Sequence, residues 1–204
     1  MADVTLTYKG STIAEMNNSG TKTLKTSGKY CEGDIGVSYV KPEGVTSDEL
    51  AKKIITREGN ITELPSDITK IGNCAFYNYT NLALTSLPSG ITSIGDYAFY
   101  YCENLALTSL PEGITSIGDY TFCGCKNLSL TSLPSSVTSI ENHAFRYCTS
   151  LTTITFKGTP TVISDSAFYR CDKLTNIYVP WAEGAVSGAP WGATNATIHY
   201  NTTT

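Results

Sequence analysis

Apolar residues along the middle of the chain recur at one interval. Phe76, Phe99, Phe122, Phe145 and Phe168 are each 23 residues apart, and so are Ile71, Ile94, Ile117, Ile140 and Ile163. Leu82, Leu105, Leu128, Leu151 and Leu174 make a third column; Leu64, Leu87, Leu110, Leu133, Phe156 and Val179 make a fourth. A unit of 23 residues cannot bury its own apolar face, so neighbouring units must stack and share a core, as in a solenoid. Each unit divides in two. Leu84–Leu87 and Leu151–Phe156 read as single short strands, and Pro65, Pro88, Pro111, Pro134 and Pro180 stop them. The run Ile91–Phe99 then predicts a turn at Gly95 and Asp96 leading into a short helical or 3₁₀ stretch. Strands of successive units are expected to pair in parallel, about 4.8 Å apart.

Units such as LTSLPSGITSIGDYAFYYC and LTSLPEGITSIGDYTFCGC resemble the BspA-like (Treponema-type) leucine-rich repeats of bacteria and some protists. The joint Ile-Gly, Ala-Phe and Cys spacing carries the resemblance over roughly residues 61–180. It implies an α+β repeat: a curved right-handed leucine-rich-repeat solenoid with a parallel sheet along one face. One departure stands out. Leu84, Leu107 and Leu130 sit one place before Thr85, Thr108 and Thr131, where the family pattern has its leucine, so the strand phase of the middle units is open by one residue.

The flanks do not share the repeat. Val4–Tyr8, Thr21–Lys25 and Ile35–Val40 alternate apolar and polar residues between glycines, which predicts a small antiparallel β module over 1–44. Thr46 and Glu49 have capping-box spacing ahead of Leu50, Ala51, Ile54 and Ile55, so a capping helix over 45–60 is expected to cover the first coil. The solenoid itself, about five to six coils, spans 61–180. Residues 181–204 hold both tryptophans, Trp181 and Trp191, with a strand-like Ala196–Tyr200, and are expected to form an aromatic cap and closing strand. An aromatic ligand platform is the alternative reading there. Both terminal segments resemble ones that accompany such repeats in proteins of gut Firmicutes and their prophages.

The charge balance narrows the function. With 14 Lys+Arg against 18 Asp+Glu, the net charge of −4 offers no excess of cations to displace counterions from a nucleic acid. Apolar residues at 41% and charged ones at 16% exclude a disordered tail. No apolar run approaches the roughly 20 residues of a membrane span, so no membrane insertion is expected. The opening MADVTLTYKG shows no secretory signal.

Candidate chemistry is sparse. Cys102, Cys125, Cys148 and Cys171 keep the 23-residue period, with Tyr79 in the matching place of the first unit. They resemble the family's inward-facing cysteine column and read as reduced structural thiols. Cys123 is expected to point outward, and Cys31 and Cys74 have no evident partner. No metal-ligand spacing, nucleophile elbow or phosphate loop is present, so no enzyme activity, cofactor or metal is expected. Thr69, Thr92, Thr115, Thr138 and Thr161 form a column better suited to stabilising the stack than to binding ice, because the second threonine column lies seven residues away. That leaves surface. Tyr77, Tyr100, Tyr101, Arg146, Tyr147, Tyr169 and Arg170 flank the Ala-Phe motif and have the composition of a partner-binding site. The resemblance implies a non-enzymatic protein-binding or adhesion module at the bacterial cell surface, its partner a host protein. The alternative is a phage or prophage virion accessory, tail- or capsid-associated, displayed through the β module.

Overall fold

The computed structural model describes residues 61–202 other than 65 and 67, together with the strand segments 4–8, 11–16, 21–24 and 37–40. Strands β1 (Val4–Tyr8), β2 (Ser11–Met16), β3 (Thr21–Leu24) and β4 (Val37–Val40) pair antiparallel in sequence order. The next strand, β5 (Ile68–Ile71), joins two regimes. It pairs antiparallel with β4, Val37 opposite Ile71, and parallel with β6 (Ser93–Ile94), Ile71 beside Ile94. The helix expected over 45–60 lies outside the described residues.

From β5 onward the chain is a parallel solenoid. Strands β7 (Ser116–Ile117), β9 (Ser139–Ile140) and β11 (Val162–Ile163) form one ladder, with Ile117 beside Ile140 and Ile140 beside Ile163. A second sheet runs β8 (Ser132–Leu133), β10 (Thr153–Phe156), β12 (Asn176–Tyr178) and β13 (Thr197–His199), again all parallel. From β5 to β12 the pairing repeats residue for residue at 23, as the columns require, whereas β13 pairs at 21, with Ile177 beside Ile198. The phase left open in the middle units differs along the stack. Leu82, Leu84, Leu105, Leu107, Leu128 and Leu130 are buried while Thr85, Thr108 and Thr131 are exposed; at the far end Ile154 and Ile177, one place later in the unit, are buried instead. The irregular residue of the strand thus falls after the second buried position in the middle coils and before it in the last ones.

Stacks of Phe and Cys fill the interior, and ladders of Asn or Asp and of Thr run along its outside. The Phe rings lie nearly parallel at centroid separations of 5.3, 5.4, 5.5 and 5.2 Å from Phe76 to Phe168, essentially without solvent contact. The cysteine column packs beside them. Cys102, Cys125, Cys148 and Cys171 donate their S–H to the carbonyls of Phe76, Phe99, Phe122 and Phe145 one coil back, at 2.9–3.1 Å. Asn73, Asp96 and Asp119 accept, through a side-chain oxygen, the amide of the matching residue in the next coil at 2.9–3.0 Å. Threonines work the other way: Thr92, Thr138 and Thr161 donate their hydroxyls to the carbonyls of Thr69, Thr115 and Thr138.

The stretch expected to be helical or 3₁₀ is a series of turns, and no helix occurs among the described residues. Its hydrogen bonds explain why. The amides of Cys74, Phe76 and Asn78 reach the carbonyls of Asp96, Ala98 and Tyr100 in the next coil, at 2.8, 2.8 and 2.6 Å. Those of Ala75, Tyr77 and Tyr79 turn back three residues within their own coil. A helix would send every amide to its own chain and leave none for the neighbour. The alternation is set by left-handed residues: Cys74 and Asn78 have φ of 55° and 56°, and Tyr97, Tyr101, Tyr120, His143, Tyr147 and Arg170 repeat them at 52–62°. That conformation costs bulky residues about 1–2 kcal/mol each; here the coil-to-coil bonds offset it.

Two tryptophans pack against the coil of β10 and Phe168. Trp191 has no exposed surface, and its carbonyl accepts the Phe168 amide at 2.9 Å, where another coil would otherwise supply the acceptor. Trp181 lies edge-on to Phe156, with ring centroids 5.3 Å apart. Burial of both tryptophans removes the aromatic-platform alternative for this end.

Candidate functional site

The seven residues singled out in the sequence lie along one flank, on the left-handed turns. Tyr77 stacks on Tyr100 with centroids 4.8 Å apart, and Tyr101 leans on Tyr100 at 4.6 Å. Two coils further, the Arg146 guanidinium lies 4.7 Å over Tyr147 and 5.3 Å over Tyr169, and Arg170 lies 5.7 Å from the same Tyr169 ring. The structure adds three residues that join these groups. Tyr97 contacts Tyr100 at 5.6 Å and Tyr120 at 4.9 Å, Tyr120 contacts His143 at 4.8 Å, and His143 meets Tyr169 edge-on at 6.5 Å. The result is an unbroken aromatic run from Tyr77 to Tyr169. Its signal was present in the sequence: Cys74, Tyr97, Tyr120 and His143 share the 23-residue period, three places before the Tyr77 column.

Cys123 corrects the sequence reading. It stands in the column of Tyr77, Tyr100, Arg146 and Tyr169, yet is 2% exposed rather than outward-facing. The side chain is short, so its large column neighbours in the adjoining coils close over it. Gly124 helps: with φ of 76°, it presses bare backbone against the Tyr101 ring, where a Cβ would approach to 2.9 Å.

Burial sets the titrations here. Loss of solvent pushes the Cys123 thiol up to about 11, against a smaller downward pull from the Arg146 charge. Burial likewise lifts Cys171 to about 12, and Cys125 and Cys148 rise for the same reason. The Tyr100 phenol goes to about 12, from burial first and Cys123 second. His143 moves down, by burial and then by the Arg146 charge. Arg146 donates from Nη2 to the Tyr147 hydroxyl at 3.2 Å, while Arg146 Nε and His143 Nδ1 are buried and have no hydrogen-bond partner among the described residues.

Five cysteines, Cys102, Cys123, Cys125, Cys148 and Cys171, are free and buried. Cys74 departs from expectation: it is disulfide-bonded, with its partner outside the described residues. No group of three or more metal-ligating side chains comes together among the described residues. A thiol reagent added to the folded, unreduced protein at pH 8 is therefore expected to label none of the five until denaturant is added. Raised thiol values also fix the sign of the alkaline response. The neutral thiol is favoured in the folded state, so this contribution is complete below the ordinary value of 9.0 and is lost as pH climbs through about 11–12. Rapid labelling without denaturant would contradict the burial.

The model of the BspA type leucine rich repeat region matches residues 58–181 in six copies. The chain belongs to the BspA-type leucine-rich repeat family. The family's solenoid fold, found here in about six turns, is that of a protein-interaction module. Among solved structures, the leucine rich repeat protein of Treponema pallidum is 27% identical, with a TM-score of 0.54 and 68% of each chain covered. A leucine-rich repeat protein from Bacteroides ovatus is 26% identical over 58% of this chain and 39% of that one, TM-score 0.44. A leucine rich cell surface protein from Faecalibacterium prausnitzii is 20% identical over 88% and 55%, TM-score 0.41. No curated protein matches the chain.

Proposed function

We propose that this BspA-type repeat chain is a non-catalytic adhesion module that binds a host surface protein through the flank from Tyr77 to Arg170. The observation that carries the reading is the continuity of that flank. Tyr77, Tyr100, Tyr101, Arg146 and Tyr147 are half-buried, and Tyr169 and Arg170 are exposed, so the run offers phenol edges and guanidinium groups on a rigid support. Tyr and Arg held in this way lose little side-chain entropy on binding and dominate protein interfaces. A glycan platform needs free ring faces. Here the faces of Tyr77, Tyr100, Tyr97 and Tyr120 are turned toward rings of adjoining coils, with interplanar angles of 14° and 10°. The β module of residues 1–44 and the helix of 45–60 complete the proposed organisation as the end at which the solenoid begins.

The test is binding of the full chain to immobilised extracellular-matrix proteins. Replacing Tyr147 and Tyr169 together by Ala is expected to weaken binding about tenfold or more while leaving the melting curve close to native. Replacing Ser109, Ser132 and Tyr178 by Ala on the strand face is expected to change it little; the reverse pattern would move the site to that face. Immunogold labelling of producing cells and released particles separates adhesion, which labels the cell surface, from the virion-accessory alternative, which labels particles.

A further inference from the structure

Two arginines on successive coils share one ring. The guanidinium carbons of Arg146 and Arg170 lie 5.3 and 5.7 Å from the centroid of Tyr169, and Arg146 also rests over Tyr147. Among the described residues neither forms an ion pair with a carboxylate, although the Tyr169 hydroxyl and then the Asp172 charge help to raise the Arg170 value. Ion pairs among the described residues join Lys126 to Glu103 and Lys157 to Glu112. In a chain with 18 acids to 14 bases, cations given over to phenol rings stand apart from the rest of the surface. Arg146 spends one N–H on the Tyr147 hydroxyl and its Nε is buried, so its remaining terminal N–H groups are the ones that can meet a partner. Aromatic rings hold a guanidinium by its face and leave its N–H edge free, in the planar geometry that fits a carboxylate. The positive field is felt locally: Arg146 lowers the proton affinity of both His143 and Cys123.

We infer that the Arg146–Tyr169–Arg170 cluster is the anchor point of the flank and takes a glutamate or aspartate side chain from an acidic segment of the partner protein. This deepens the proposed docking surface and rests on it. A polyanion such as nucleic acid does not fit, because two arginines on a chain of net charge −4 cannot repay the repulsion of a run of phosphates. One or two carboxylates do fit, since each is met by a preorganised donor edge while the Tyr147 and Tyr169 rings cover the adjoining peptide.

The experiment titrates the full chain with a short synthetic peptide of alternating Glu and Ala, and with the same peptide carrying Gln for Glu. Nuclear magnetic resonance of the arginine Nε–H groups, assigned with Arg146→Gln and Arg170→Gln, gives the readout. The Glu peptide is expected to shift the Arg146 signal. Its affinity is expected to fall about tenfold in either variant, and less in Arg146→Lys, which keeps the charge and loses the fork. Equal binding of the Gln peptide, or no movement of the Arg146 signal, overturns the inference. If the Gln peptide binds equally and Tyr147→Ala abolishes its binding, the flank remains the docking surface and only the acidic anchor falls. Thermal melts of each variant confirm that folding is retained.

Discussion

Phe122→Ala is expected to destabilise the solenoid by about 3–5 kcal/mol, the usual cost of emptying a buried phenylalanine site. Phe122 has no exposed surface, and its ring is sandwiched between Phe99 at 5.4 Å and Phe145 at 5.5 Å. Both ring faces are lost at once, and collapse is opposed because the adjoining coils are pinned by the Phe122 amide to Ala144 and by Cys148 to the Phe122 carbonyl. In a one-dimensional stack each coil is held by its neighbours alone, so a central hole weakens two interfaces. Phe76→Ala, whose ring stacks on Phe99 alone among the described residues, should cost less. Guanidinium titrations of the two variants check the order. A Phe122→Ala protein as stable as the parent would mean that the ring stack is not the core.

Trp191→Ala is expected to be nearly as costly, about 3–5 kcal/mol, with a second effect that Phe122→Ala lacks. The ring is fully buried, its Nε1 donates to the Ser187 carbonyl at 2.7 Å, and it lies 6.0 Å from Phe156 and 6.4 Å from Trp181. The backbone acceptor for Phe168 survives the substitution, so what is removed is the cover over the coil of β10 and Phe168. An opened end presents apolar side chains beside unpaired strand backbone, which invites pairing with another copy. Light scattering after size exclusion should therefore show self-association together with a lower melting temperature. Trp181→Ala combined with it should fall short of additivity, because the two rings shield one surface. A monodisperse variant melting like the parent would sink the capping role.

The spines of Phe, Ile, Leu and Cys were legible because a stack gives every member of a column the same surroundings, so one physical demand is written at each recurrence. What escaped has the opposite character. The helical reading of Ile91–Phe99 failed because the fate of an amide depends on the coil above, which local propensity does not see. Cys123 was placed outside by its column, and its size relative to its neighbours brought it in. The 23-residue spacing of Tyr97, Tyr120 and His143 does not reveal them as a surface, since their contact with Tyr100 and Tyr169 crosses from one column to another. Cys74 looked unpaired because a disulfide leaves no spacing rule in a sequence.

The ladder of Asn73, Asp96 and Asp119, each side chain accepting an amide from the matching residue one coil on, has a consequence for how such a rod can change over generations. Duplicating or deleting a whole unit leaves every bond with an equivalent partner, whereas inserting one residue shifts the register of the bonds that span it. Length can drift in steps of one rung; pitch is inherited unchanged.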